Sequence, residues 1–222
     1  MKKNNLIVAL DLDSFTKAKK FINLLYKDVK LFKVGLQLFI NCGHEIIPEI
    51  KKKGAEVFLD LKFYDIPNTV SNAVTEAVRL NVKMLTVHIS GGKEMLTSAV
   101  RTAKKEAKIL RIKKPLLIGV TVLTSQETKP SRVLELAKMG LSCGLDGIVC
   151  SVKEVQYLRK KINKKFIIVT PGIRPNTQNF DDQKRIASAK EALRLGSDYL
   201  VVGRPILEAR NPKKALQDML KE

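Results

Sequence analysis

The segment EVFLDLKFYDIPNTVSNAVTEAVRL, Glu56 to Leu80, holds a complete strand–turn–helix unit, and it carries charges where a buried strand should have none. Val57, Phe58 and Leu59 open it as a strand meant for burial, since β-branched and aromatic residues suit a packed, pleated surface. Pro67 fixes φ and suits the first turn of a helix, Asn68 and Thr69 can bond local backbone, and TVSNAVTEAVRL carries apolar residues at helical spacing. Between strand and helix, Asp60, Lys62 and Asp65 interrupt the apolar run. Charged groups are costly to bury unless they are paired or used.

The same kind of unit recurs along the chain. Strand-like runs occur at LIVALDL (6–12), LFKVGL (31–36), EVFLDLKF (56–63), MLTVHI (84–89), LLIGVTVL (116–123), GIVCS (147–151), FIIVTPG (166–172) and YLVVGRPI (199–206). Each is followed by a helix-length amphipathic segment, of which KEMLTSAVRTAKKEAKIL is among the clearest. Strand and helix in alternation imply parallel pairing through crossover helices. Eight such units in a chain of this length imply an α/β fold, a single (β/α)8 TIM barrel spanning residues 1–222 as one domain. An open doubly wound sheet is the alternative, but it expects G-x-G-x-x-G after the first strand, where this chain has DLDSFTKAKK.

Barrels of this class place their chemistry at the C-terminal ends of the strands. Polar residues gather there: Asp11, Asp60 with Lys62, His88, Thr124, Arg174, and Gly203 with Arg204, while Lys33 lies within the second strand. Side chains alternate along a strand, so Asp60 and Lys62 share one face and point into the barrel mouth, leaving Leu59 and Leu61 toward the helices. With Lys33 and Asp65 they form an alternating Lys-Asp-Lys-Asp set, which keeps both lysines charged in a cavity where a lone lysine would lose its proton. On spacing alone the set reads either as a structural ion-pair network or as a catalytic array.

Composition narrows the function. At 222 residues and 45% hydrophobic, the chain can bury one substantial core. The 41 Lys and Arg against 22 Asp and Glu give a net charge of +19, which invites a polyanion partner. The lysines are scattered, as in KKFINLLYKDVK, KKK at 51–53 and RIKKP, aromatics are 5% and Trp is absent, so platforms for stacking bases are scarce. The charge reads as a solvated surface that helps draw in a small anionic substrate, and no nucleic-acid partner is expected. No apolar run approaches the ~18 residues of a membrane span, and MKKNNLIVALDLDS is a poor signal peptide, so neither a membrane partner nor export is expected and the location expected is cytoplasmic. Cys42, Cys143 and Cys150 lack metal-ligand spacing, and their odd number argues against a disulfide framework; they read as small core residues.

LDLKFYDIPNTV resembles the D-x-K-x-x-D-I-P-N-T signature of the orotidine 5′-phosphate decarboxylase family. The resemblance extends across almost the whole chain: ALD at 9–11, FKVGLQLF at 32–39, VHISGGKEML at 87–96, VTVLTS at 120–125, VTPGIRP at 169–175, DDQKRI at 181–186 and DYLVVGRPI at 198–206 follow in the family's order. It implies decarboxylation of orotidine 5′-phosphate to uridine 5′-phosphate, the last step of de novo pyrimidine synthesis, without metal or organic cofactor. By that resemblance Lys62 stabilises negative charge at C6 and donates the replacing proton, Asp60 and Lys33 orient it, and Asp65 enters the site of a second subunit of a homodimer. Substrate contacts carried over by motif are Asp11 and Lys33 to the ribose, Ile66 and Thr69 in the IPNT segment with Thr69 reaching across the interface, and Thr124 to the pyrimidine edge. Gln183 bridges base and phosphate, and Arg174, Gly203 and Arg204 hold the phosphate beneath a lid formed by 174–182.

Three positions depart from the family pattern. Tyr64 replaces the usual His between Lys and Asp-Ile-Pro and reads as an outward residue, Ser188 stands in for the Thr-Pro that often opens the last helix before the eighth strand, and the lid is short of glycine. His88 reads equally as a substrate contact or a hydrogen-bonded structural residue, His44 as surface or packing, and Gly91-Gly92 as a turn. The rival readings are a magnesium-dependent sugar-phosphate decarboxylase or aldolase of the same barrel group, a basic nucleic-acid-binding protein, and a barrel without activity.

Overall fold

The computed structural model describes residues 5–174 and 187–221. Eight strands, β1 (Leu6–Ala9), β2 (Leu31–Gly35), β3 (Glu56–Phe63), β4 (Met84–His88), β5 (Leu116–Val120), β6 (Gly147–Val149), β7 (Ile167–Thr170) and β8 (Tyr199–Val202), close into a parallel barrel in chain order. Closure is made by β8 against β1, with Leu6 opposite Leu200 and Val8 opposite Val202. The (β/α)8 barrel expected from the eight apolar runs is the fold observed. No helix among the described residues is long and apolar enough to cross a membrane.

Seven of the eight strands stop short of the apolar runs that announce them. The run at 6–12 yields a strand ending at Ala9, and that at 116–123 one ending at Val120. In a tilted barrel the last residues of each run leave the ladder to carry side chains over the mouth. Asp11, Thr124, Arg174 and Gly203 all lie just beyond a strand end for this reason.

Two layers of apolar residues use the two faces of each strand. Leu6, Val8, Phe32, Val34, Val57, Leu59, Leu85 and Val87 pack outward in the main core, which also holds buried residues of the helices. Ile7, Leu31, Phe58, Met84, Ile118 and Val169 fill the barrel interior as a separate cluster. Because the side-chain period is two, the inward residues one step further along β2, β3 and β4 are Lys33, Asp60 and Thr86. An apolar plug therefore forms the floor on which the polar residues stand.

Local signals set the helix starts. Pro67 opens the helix Pro67–Arg79, as its fixed φ allows. The Ser188 hydroxyl accepts the Glu191 N–H at 3.2 Å, capping the helix Ala189–Leu195 as its position in the sequence suggested. Ser151 and Glu154 form a reciprocal capping box at the helix Val152–Lys161. At the opposite end of the barrel from the mouth, two aspartates pin neighbouring strands. Asp146 accepts from Lys114 at 2.6 Å and from the Leu117 N–H at 2.8 Å, and Asp198 accepts from Arg159 at 2.6 Å and from the Ile168 N–H at 2.7 Å.

Gly147, which opens β6, sits against β7 so closely that a Cβ built on it would lie 2.4 Å from the Ile167 carbonyl oxygen and 2.7 Å from the Ile167 Cβ. Backbone cannot yield there as a side-chain tip can. Gly147→Ala is expected to destabilise the protein by about 1–3 kcal/mol, read from urea midpoints, and an unchanged midpoint would contradict the tight β6–β7 contact.

Candidate active site

The polar residues above the plug form one connected chain of charge. The Asp11 carboxylate accepts from Lys33 Nζ at 2.8 Å, Lys33 Nζ lies 3.5 Å from Asp60 Oδ2, and Asp60 Oδ1 accepts from Lys62 Nζ at 3.0 Å. Acid and base alternate, so each carboxylate faces ammonium and each ammonium faces carboxylate. Lys33 and Asp60 are buried, with side chains 10% and 12% exposed, whereas Lys62 at 32% reaches toward the opening. For Asp60 burial is the largest influence and would raise its pKa, but the Lys33 and Lys62 charges with the hydrogen bonds from Lys62 and Thr86 outweigh it. Its carboxyl is held below the ordinary aspartate value.

The backbone at Lys62 departs from a regular strand. β3 and β4 pair at Leu59 with Leu85 and next at Phe63 with Val87, so four steps along β3 match two along β4. Inside this bulge Lys62 takes a left-handed conformation with φ 52°. That region is uncommon for a residue with a long side chain, and non-glycine residues held there concentrate at functional sites. The Lys62 N–H donates to the Thr86 hydroxyl at 2.9 Å, and that hydroxyl donates to Asp60 Oδ1 at 3.0 Å.

A cavity of about 280 Å³ opens over the array. Its one wall is the charged chain of Asp11, Lys33, Asp60 and Lys62, while Val120, Val122, Leu123 and Ile173 supply apolar surface. Thr124, Arg174, Gly203 and Arg204 complete the lining, so the two arginines stand where the loops after β7 and β8 present themselves. Gly203 lies close to Asp11 across the mouth, a Cβ built on it falling 3.5 Å from Asp11 Oδ2. Such a cavity suits a small anion with an apolar part: fixed donors at the rim, an apolar face, and charges that can answer charge developing in the ligand.

Of the residues singled out in the sequence, Asp11, Lys33, Asp60, Lys62, Thr124, Arg174, Gly203 and Arg204 converge on this cavity. Asp65, Ile66 and Thr69 do not; all three are exposed, and the Asp65 carboxylate accepts its neighbour Ile66 N–H at 2.6 Å. Gln183 and most of the segment expected to form a lid lie outside the described residues. His88 packs its ring against Tyr64, centroids 5.6 Å apart, outside the cavity lining. Its pKa is lowered chiefly by burial and further by Lys62, with Asp60 opposing. Tyr64 is exposed as expected, and Cys150 is buried, its thiol pKa pushed up by burial. Thr86 gives little signal in the sequence, a single hydroxyl inside the apolar MLTVHI run, in phase with the inward Met84.

The fold and site together define a (β/α)8-barrel protein with a buried lysine–carboxylate array and cationic residues at the mouth. The family model for the orotidine 5′-phosphate decarboxylase / HUMPS family matches residues 4–219. A protein of Geotalea daltonii named orotidine 5′-phosphate decarboxylase is 42% identical over 98% of this chain and 95% of its own length. One of the same name from Coxiella burnetii is 42% identical over 97% and 95%. The crystal structure of orotidine 5′-phosphate decarboxylase from Lactobacillus acidophilus superposes with a TM-score of 0.84 at 38% identity, covering 98% of both chains. The chain belongs to the orotidine 5′-phosphate decarboxylase / HUMPS family.

Asp60 ionises at lower pH in the folded protein than in the unfolded chain. Its ionised form therefore contributes stability in full above the ordinary aspartate value of about 4, and the contribution is lost as pH falls through the lower folded value. Wild type should hold a constant advantage over Asp60→Asn in urea midpoint between about pH 5 and 8 and lose it below about pH 4. An advantage that grows on acidification would contradict the charge chain.

Proposed function

We propose that this chain decarboxylates orotidine 5′-phosphate to uridine 5′-phosphate, the closing step of de novo pyrimidine synthesis, using its own side chains. The observation that carries the reading is the Lys62 ammonium, anchored by Asp60 at 3.0 Å, in a cavity that also presents Arg174 and Arg204. In the reaction the bond from C6 to the carboxylate carbon breaks, carbon dioxide leaves, and the electron pair stays on C6. Lys62 stabilises that charge and gives C6 a proton from Nζ. A preorganised cation in a site closed to water is worth far more than the same charge in solvent. Lys33 and Asp60 hold Lys62 in place, Asp11 and Lys33 meet the ribose hydroxyls, Thr124 meets the pyrimidine edge, and Arg174, Gly203 and Arg204 take the phosphate.

Named relatives of nearly full length and about 42% identity support this activity over the magnesium-dependent alternative. So does the arrangement of charge: the Asp60 carboxylate has an ammonium on each oxygen.

The array still lacks Asp65, and the surface around that residue suggests where its use lies. Leu36, Ile40, Tyr64 and Ile66 are exposed at 53%, 81%, 62% and 65%, an unusual set of apolar side chains to leave in water. A second copy of this chain covers them on our reading, and the resulting homodimer delivers Asp65 and Thr69 to the partner's cavity. Asp65 comes from the turn that links β3 to its helix and Thr69 from the first turn of that helix, so one short segment serves the near site with Lys62 and the far site with Asp65. A cytoplasmic location accords with a biosynthetic enzyme of this kind.

Ultraviolet monitoring of orotidine 5′-phosphate in buffer containing chelator should show conversion to uridine 5′-phosphate, with Lys62→Ala slower by more than about a thousandfold. No conversion by wild type would overturn the activity, and substantial turnover by Lys62→Ala would remove the lysine from its role. Mixing inactive Lys62→Ala with inactive Asp65→Ala should restore about a quarter of wild-type sites, because half the dimers are hybrids with one intact site each. No recovery from a mixture shown to exchange subunits would exclude a shared site.

A further inference from the structure

Thr86 is fully buried on β4 between Met84 of the interior plug and His88 at the rim, and it stands behind the cavity lining. A valine would fill the same space and suit a buried strand better, since a hydroxyl is costly there unless it is hydrogen-bonded. This hydroxyl is bonded on both sides. It donates to Asp60 Oδ1 at 3.0 Å and accepts the Lys62 N–H at 2.9 Å. Threonine hydroxyls in helices commonly return to local backbone, as that of the half-buried Thr75 does to the Ser71 carbonyl, and the buried Thr121, just past the end of β5, bonds the Val149 carbonyl of the next strand. Thr86 reaches instead to the two residues of β3 on which the proposed chemistry depends.

We propose that Thr86 is a positioning residue for the decarboxylation: it locks the β3 bulge that aims Lys62 and holds the carboxylate that anchors the Lys62 ammonium. The proposal rests on the decarboxylase reading above. Lys62 has a long side chain, and two constraints are needed to give its Nζ one position. The Asp60 bond fixes the tip, and the Thr86 bond fixes the base, where the chain holds φ at 52° between the Leu59 and Phe63 pairings. Without a partner for the Lys62 N–H, the bulge has a buried donor to satisfy and a reason to relax toward a regular strand. Asp60 would at the same time lose one of the donors that keep it ionised and oriented.

Thr86→Val removes both bonds at constant volume, and Thr86→Ser keeps them. For Thr86→Val, kcat should fall roughly 10- to 100-fold, as expected for a displaced catalytic group, while KM changes by less than about threefold. The acid limb of its kcat profile should move to higher pH, because Asp60 becomes easier to protonate. Amide hydrogen exchange at Lys62, followed by NMR, should accelerate, and Thr86→Ser should stay near wild type in every measurement. Wild-type kcat in Thr86→Val would overturn the proposal, as would a reduced kcat with the acid limb and Lys62 exchange unmoved, the result expected of a purely structural role. If Thr86→Val does not fold, Thr86→Cys offers similar size with a weak donor and acceptor and is expected to shift the same quantities in the same direction; no shift would overturn the proposal. Absence of turnover in wild type would overturn the decarboxylase reading instead, while the exchange measurement would still decide whether Thr86 holds the bulge.

Discussion

A single buried carboxylate organises the mouth of this barrel. Asp60 is removed from water on a strand that would otherwise be apolar, and burial alone would push its pKa up. Lys33 on one oxygen and Lys62 on the other keep it ionised, and it in turn gives both ammonium groups a reason to sit inside. None of these charges is stable there by itself, because an unpaired buried charge costs several kcal/mol. The array therefore stands or falls as a unit. Its geometry requires β2, β3 and β4 to keep their register over the plug of Leu31, Phe58 and Met84.

The barrel divides labour between its ends. At the closed end Asp146 and Asp198 each join a cation to the N–H of a neighbouring strand, contacts that fix strand positions. At the open end the same residue types face a cavity and one another, and the ladder is broken where Lys62 needs a direction that a regular strand does not offer. Apolar residues such as Val120, Val122 and Ile173 help line the cavity and exclude water. Charges on one side and a dry surface on the other strengthen any interaction with charge that develops in a bound ligand.

On the homodimer proposed here, the turn after β3 links this site to assembly. Tyr64 and Ile66 are exposed in the same short stretch that carries Asp65, and Leu36 and Ile40 add apolar surface just after β2. On the function proposed here, covering that surface and completing the charge array are one event. Partner binding would then be a condition of activity as well as of stability.

Much of this was legible in the residues. Eight apolar runs separated by helical spacing fall into strands that begin within a residue of where the runs begin, and the period of two placed Asp60 on the inner face in phase with Phe58. Pro67 and Ser188 marked helix starts because their effects are local. The strand ends were overestimated, since an apolar residue looks the same whether it pairs in a ladder or lines a loop over the mouth. The bulge and the left-handed Lys62 were not legible, because nothing in LDLKF announces a missed pairing. Thr86 was passed over because its importance comes from residues some 24 to 26 positions away that only the β3–β4 contact brings within reach. The sequence by itself determined the barrel, the charges of Lys33, Asp60 and Lys62 at its mouth, and the family, whereas Asp11 rather than Asp65 completes the charge chain within one copy. Only the tertiary structure decided which carboxylate meets which ammonium and which hydroxyl steadies them, because periodicity is a property of one segment and a hydrogen bond between strands is a property of two.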